Sequence, residues 1–187
     1  MSQPSVTPAV DFSRQLFDRR KLTPTQAAAI DLYGLGFNIL PGRRASKLAY
    51  LWGVLRASRL HANSLVDLFD SGDNLFCMTG RTSLNLFVVD CETRDAAKKH
   101  GSEFAARGIE PWVVATARGA HFWLLSADGE VANVADDVAS PRGYEIRGNA
   151  NYVACPPSLH PTFKGFIYDW RARVGELPPS VSIADMN

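Results

Sequence analysis

Residues 87–93 read FVVDCET. Three apolar strand-formers, Phe87, Val88 and Val89, run directly into Asp90, and Glu92 follows two residues later. Side chains alternate faces along a strand with period 2, so Asp90 and Glu92 share one face. Cys91 turns with Val89 and Phe87 towards the packed side. Two carboxylates held side by side repel and raise each other's pKa. A divalent cation removes that penalty, and hard oxygen ligands of this kind suit Mg²⁺ or Mn²⁺. A D-x-E pattern also fits a strand end whose acids simply reach solvent, with Glu92 opening the next helix cap. Both readings stay open on this stretch alone.

Outward from it, "NLFCM" (74–78) and "LNLFVVD" (84–90) read as strands joined by the turn "TGRTS". Thr93 caps a predicted helix over "RDAAKKHGSEFAARG" that ends at Gly108, with Gly101 as its weak point. "PWVVATA" and "AHFWLLS" are two strands with a hairpin at Arg118-Gly119, and "GYEIRG", "NYVACP" and "GFIYDW" are shorter strands. Earlier in the chain, Thr23-Pro24-Thr25-Gln26 has the form of a capping box with Pro at the first helical position. The helix it opens should stop near Gly34 or Gly36. "FNILP" reads as a strand, "PGRRASK" as a basic loop, "YLWGVL" as an apolar patch and "SLVDLFD" as helical in spacing. Short connections between successive strands in the second half predict an α+β fold, a mostly antiparallel central sheet flanked by helices.

The chain has 187 residues, long enough for one domain with a real core. At 46% hydrophobic and 21% charged it is ordinary globular composition, which excludes disorder and coiled coil. No apolar run nears the ~20 residues that span a bilayer, and the N-terminus lacks the basic and apolar regions of a secretory signal. No membrane partner and a cytoplasmic location are therefore expected. Cys77, Cys91 and Cys155 are far apart along the chain and odd in number, which reads as three small buried residues rather than a zinc or disulfide framework. Charge is uneven: residues 1–60 hold nine Lys/Arg against three acids, and residues 61–187 hold eleven against sixteen. A basic front beside an acidic remainder suits a protein that touches phosphates and holds cations, or equally a solvated basic surface. The expected organisation is a flexible tail over 1–10, a domain over 11–175 (basic over 11–60, metal-binding over 61–175) and a C-terminal tail over 176–187.

Two later segments bear on Asp90 and Glu92. "ATARGAHFWLL" (115–125) places His121 just after a tight Gly turn, at the start of an apolar strand. On a strand beside the carboxylates it could donate to a phosphate oxygen; alone it is an edge histidine. "GYEIRGNANYVACPPSLH" (143–160) puts Glu145 and Arg147 on one face of a short strand, followed by a Gly-Asn turn, an apolar strand, and Pro156-Pro157 before Ser158 and His160. A salt-bridged surface hairpin has the same pattern.

Together the segments resemble the bifunctional DNA primase/polymerase (prim-pol) domain of the archaeo-eukaryotic primase superfamily, over roughly residues 25–170. "FVVDCE" resembles that family's first motif, a strand ending in D-x-D or D-x-E. "RGAHFWL" resembles the second, G-x-H leading into a strand. "YEIRGNANYVACPPSLH" is similar to its run of acid, Arg-Gly, turn, apolar strand and P-P-S-x-H. "GFNILPGRRASK…W" resembles its upstream strand, loop Lys and Trp. The resemblance implies template-directed nucleotidyl transfer by a DNA polymerase, or a DNA polymerase that is also a primase, of a plasmid, phage or other mobile element. It implies that Asp90, Glu92 and Glu145 hold two Mg²⁺ or Mn²⁺ ions and that His121 contacts the incoming triphosphate. Lys47, Arg147, Ser158 and His160 become candidate phosphate, nucleotide or template contacts. The implied partners are nucleoside triphosphates, a single-stranded or primed DNA template, and a helicase or helical priming domain such as relatives carry. Departures from the pattern are Arg118 in place of the first of a Gly pair, Glu145 where Asp is common, and Leu48 where Pro usually follows the Lys. Two other readings of the same residues are a catalytically degenerate nucleotide or nucleic-acid binding module and a metal-dependent nuclease.

Overall fold

The computed structural model describes residues 21–69, 73–139 and 141–186; the predicted tail over 1–10 lies outside the described residues. Helix α1, Pro24–Gly34, opens as the sequence predicts. Thr23 Oγ1 accepts from the Gln26 N–H and the Gln26 side chain accepts from the Thr23 N–H, so two of the helix's first free donors are satisfied. Strand β1 (Ile39–Gly42) follows, then the one-turn helix α2 (Trp52–Leu55). Next come β2 (Asn74–Met78), β3 (Leu86–Cys91), helix α3 (Arg94–Ala106), β4 (Trp112–Ala115) and β5 (Ala120–Ser126). Strands β6 (Tyr144–Arg147), β7 (Tyr152–Cys155), β8 (Asp169–Ala172) and β9 (Ser180–Val181) complete the described chain.

The strands form two sheets. One has the order β1-β2-β7; the other runs β6-β3-β5-β4-β8, with β9 added beside β5. Every pairing is antiparallel except β5 with β9. The fold is α+β with a mostly antiparallel sheet, as the strand-rich second half predicts.

Both faces of β3 are packed. Leu86 and Val88 join Trp123 and Leu125 of β5 and Ile39, Leu75, Cys77, Val153 and Cys155 of the smaller sheet in one core between the sheets. Phe87, Val89 and Cys91 pack with Phe122, Leu124 and the α3 residues Ala96 and Phe104 in a second core on the opposite face. All three cysteines are buried and free, matching the reading from their number and spacing.

The sequence reading is revised in four places. Residues 64–69 of "SLVDLFD" form no α-helix; a 3₁₀ turn at Ala62–Ser64 opens the stretch, and Leu65, in a turn, and Phe69, just after it, are buried. The strand expected in "GFIYDW" lies later, at Asp169–Ala172, with Ile167 making only a single bridge to Leu159. Gly101 does not interrupt α3. The expected C-terminal tail supplies β9, whose Val181 is buried in the second core.

Candidate active site

The register places the three motifs side by side. Asp90 on β3 lies directly opposite His121 on β5 and directly opposite Glu145 on β6. Directly paired residues project to the same face with Cβ atoms ~4.5–5.5 Å apart. The face is the one that carries Leu86, Val88 and Trp123, so the row Glu145–Asp90–His121 continues the inter-sheet core at its polar end. Arg147, opposite Val88, lies on the same face two residues beyond Glu145.

The turn before His121 is built on Gly119. A Cβ there would sit 1.9 Å from the Cys91 carbonyl oxygen and 3.1 Å from that of Thr93, so only glycine lets the β4–β5 turn pass the end of β3. The Gly119 N–H donates to Thr116 Oγ1 (2.9 Å), which closes the turn. This close approach carries the Gly-x-His spacing into space: His121 starts its strand level with Asp90. Gly148, after Arg147, is equally constrained, since a Cβ would meet the Val131 carbonyl oxygen at 2.1 Å.

A cleft of about 220 Å³ opens here, lined by Lys47, Asp90, Glu92, Arg118, His121, Arg147, His160 and Tyr168 among others. His121 Nε2 lies 3.3 Å from Asp90 Oδ1, and Arg147 Nε lies 3.5 Å from Asp90 Oδ2. Arg147 Nη2 also bonds Glu145 Oε2, so one guanidinium joins two carboxylates from neighbouring strands. Glu92 instead pairs with Arg118 Nη2 at 2.6 Å. Burial by itself pushes the Asp90 carboxyl up, but His121, then Arg147 and Lys47, outweigh it and hold the group at about 2. Burial, then the charges of Asp90 and Glu92, push the Tyr168 phenol up to about 12. The imidazole of His160 is lowered by burial and then by Lys47 and Arg118. Its Nδ1 accepts from the Thr162 and Phe163 N–H groups (both 3.1 Å), so in the neutral ring the proton sits on Nε2. Among the described residues, His121 Nδ1 is buried without a hydrogen-bond partner.

Six of the eight residues singled out in the sequence line this cleft: Lys47, Asp90, Glu92, His121, Arg147 and His160. Glu145 is not a lining residue and reaches the cleft through Arg147. Ser158 is a correction to the list of candidate nucleotide contacts. It is 1% exposed, and its hydroxyl accepts from the Leu75 N–H (2.7 Å) and donates to the Leu75 carbonyl (2.8 Å), so it fastens the P-P-S turn to β2 and lies buried out of a ligand's reach. Sequence reasoning misses Tyr168. It stacks on His160 (5.7 Å, 29°) and lies 5.8 Å from His121 in a tilted contact. Its only sequence signal is its place after P-P-S-x-H, which does not separate it from core aromatics. Arg118 enters the sequence reading only as a hairpin residue and a departure from the family pattern, yet it is the partner of Glu92.

The sequence model of the family described as bifunctional DNA primase/polymerase, N-terminal, matches residues 29–180, most of the chain and all of these strands. The chain belongs to that family. Among curated proteins, none matches it. Membership of the prim-pol family makes the domain one of DNA primase/polymerase type, a class of nucleotidyl transfer that acts on DNA and nucleotides and generally uses divalent metals. Among the described residues no helix is long and apolar enough to cross a membrane.

Whether this prim-pol cleft suits a divalent cation is tested by its donors. The acids offer carboxylate oxygens, the ligand type Mg²⁺ and Mn²⁺ prefer. Asp90 and Glu145 already converge on one positive centre, the Arg147 guanidinium. Among the described residues, no group of three His, Cys, Asp or Glu side chains closes on a common point, because Glu92 is turned to Arg118. The donors fit in kind, with arginines standing where cations would neutralise them.

Proposed function

We propose that the domain extends a DNA strand by template-directed nucleotidyl transfer, with the cleft around Asp90 as its active site. The observation that carries this reading is the single row Glu145–Asp90–His121, drawn from three separate motifs, with Asp90 and His121 lining one cleft and Glu145 tied to it through Arg147. Asp90, Glu92 and Glu145 would hold two Mg²⁺ or Mn²⁺ ions, which when bound supply charge neutralisation at the reacting phosphates and acidify the attacking hydroxyl. The protein's own groups position and neutralise. His121 lines the cleft beside Asp90, and Lys47 brings a cation to the same cleft. His160 offers its Nε2–H there once Nδ1 is occupied by backbone donors. At about 220 Å³ the cleft is smaller than the ~300–1,000 Å³ that encloses a whole small ligand, which suits the charged end of a nucleotide with the rest outside. Replication of a mobile element is the biological role we assign to this activity, with a helicase or helical priming domain as partner.

A second reading has its own support. Arg147 and Arg118 between them pair with all three acids without any added ion, as a nucleotide-binding module that has lost catalysis would require. One assay separates the two. Primed template, labelled nucleotides and Mg²⁺ or Mn²⁺ are incubated with the wild-type protein and with Asp90→Ala. Extension by wild type, lost in a folded Asp90→Ala, supports polymerisation. Nucleotide binding with no extension supports the degenerate module, and shortening of the strand without nucleotides points to a nuclease.

A further inference from the structure

Beside the cleft lies a surface the active-site reading does not use. Eleven large apolar side chains are exposed among the described residues, and five of them, Leu48, Tyr50, Leu51, Trp52 and Val54, fall within residues 48–54. Tyr50 is 49% and Trp52 39% exposed. Apolar exposure concentrated in this way marks a binding surface rather than ordinary scatter. The same segment is purely cationic. From residue 32 to residue 66 the chain carries Arg43, Arg44, Lys47, Arg56 and Arg59 and no Asp or Glu. Among the described residues no ion pair neutralises Arg43, Arg44 or Lys47. Arg56 lies over the Trp52 ring at 5.8 Å.

This surface is anchored and joined to the cleft. From below, the buried Asn38 donates through Nδ2 to the carbonyls of Leu55 (2.9 Å) and Ser58 (3.0 Å) and accepts the Leu60 N–H at 2.9 Å. Towards the cleft, Trp52 Nε1–H donates to the Ala150 carbonyl at 3.1 Å, and the indole meets the Tyr152 ring at 6.3 Å. The Tyr152 hydroxyl donates to the Lys47 carbonyl at 3.1 Å, and both residues line the cleft. Flat aromatic faces interleaved with unpaired cations match a single nucleic-acid strand, whose bases stack without regard to sequence while its phosphates meet the cations. An apolar protein partner would leave those cations without counter-charges.

We propose that residues 43–56 form the platform on which a single-stranded template lies as it reaches the cleft, its bases against Tyr50 and Trp52 and its phosphates against Arg43, Arg44 and Arg56. Naming the strand the template rests on the nucleotidyl-transfer reading; the strand binding does not. The test is fluorescence anisotropy of a labelled oligo-dT of about 16 nucleotides, titrated with the full chain without nucleotide or divalent cation. Tyr50→Ala should weaken binding about tenfold. Arg43→Ala/Arg44→Ala should weaken it and flatten the slope of log affinity against log salt by about 1.4, or 0.7 for each phosphate no longer neutralised. All three side chains are exposed, and matching circular dichroism and melting curves confirm that the variants are folded; should the double variant fail to fold, Tyr50→Ala alone still decides. Unchanged affinity in the folded variants, or no strand binding by wild type at low salt, overturns the assignment. So does sedimentation showing that the substitutions abolish self-association while strand binding persists. Strand binding that responds as expected in a protein unable to extend primers would sink the catalytic proposal and leave this one standing.

Discussion

Asp90 has two cross-strand neighbours, and each arrives from a motif far along the chain: His121 from 31 residues on and Glu145 from 55. Its carboxylate is buried and held at about 2 against an ordinary 3.8. A depressed folded-state value means the unfolded chain binds the proton more readily, so the stabilisation is full above about pH 4 and is lost as pH falls towards 2. The shift corresponds to about 2 kcal/mol. Urea midpoints measured across that window should fall in the wild type and stay flatter in Asp90→Asn, which has no carboxyl to protonate. Ser158 makes the opposite case, a motif residue whose work is structural. Ser158→Ala strands a buried N–H and carbonyl of Leu75, a loss of about 2 kcal/mol in chemical denaturation. The folded fraction should keep its nucleotide affinity, since Ser158 lies outside the cleft lining.

At the level of elements, the β4–β5 hairpin is the part the site depends on most. Gly119→Ala drives a methyl group into the Cys91 carbonyl, and neither backbone can retreat without breaking the β3–β5 ladder. We expect a destabilisation of about 3 kcal/mol in thermal melts, with strand extension lost even in the folded fraction because His121 leaves its register. Helix α1 should lose about 1 kcal/mol in Thr23→Ala, where the capping box opens, and extension should survive because the cap is remote from the cleft. Elements with local signals were legible in advance. The capping box, the Thr93 cap and the alternating strands all announce themselves within a few residues. "SLVDLFD" misled because the spacing of its apolar residues suits a helix, whereas Leu65 is buried from a turn and Phe69 from the irregular chain after it. The strand in "GFIYDW" slipped because β4 chooses its partner: Asp169 and Trp170 pair with Ala115 and Val114, and the register shifts before Val113 meets Ala172.

Across the whole molecule, the two sheets share the core that ends at the cleft. Phe37, Trp112 and Trp123 pack edge to face in it, and Trp170 covers both indoles. Because strands from both sheets bury the same side chains, neither sheet keeps this shared core without the other. Tryptophan fluorescence, which reports chiefly on the larger sheet, and far-ultraviolet dichroism, which reports on all elements, should therefore unfold at one midpoint. Phe76→Ala, in the smaller sheet, should lower both midpoints together, with a loss of stability of about 3–5 kcal/mol. Separate transitions would show that the sheets fold as independent units.

The sequence by itself determined which residues carry charge, where the strands alternate, and that Asp90 and Glu92 share a face, because those properties depend on neighbours a few positions away. It also determined the family, through the order of its motifs. Only the tertiary structure decided that Glu145 and His121 flank Asp90, that Arg147 and Arg118 claim the carboxylates, and that Tyr168 stacks between two histidines. Those facts depend on strand order and register across long separations in sequence. That register is set by the packing of two cores and by a glycine too close to a carbonyl to be anything else.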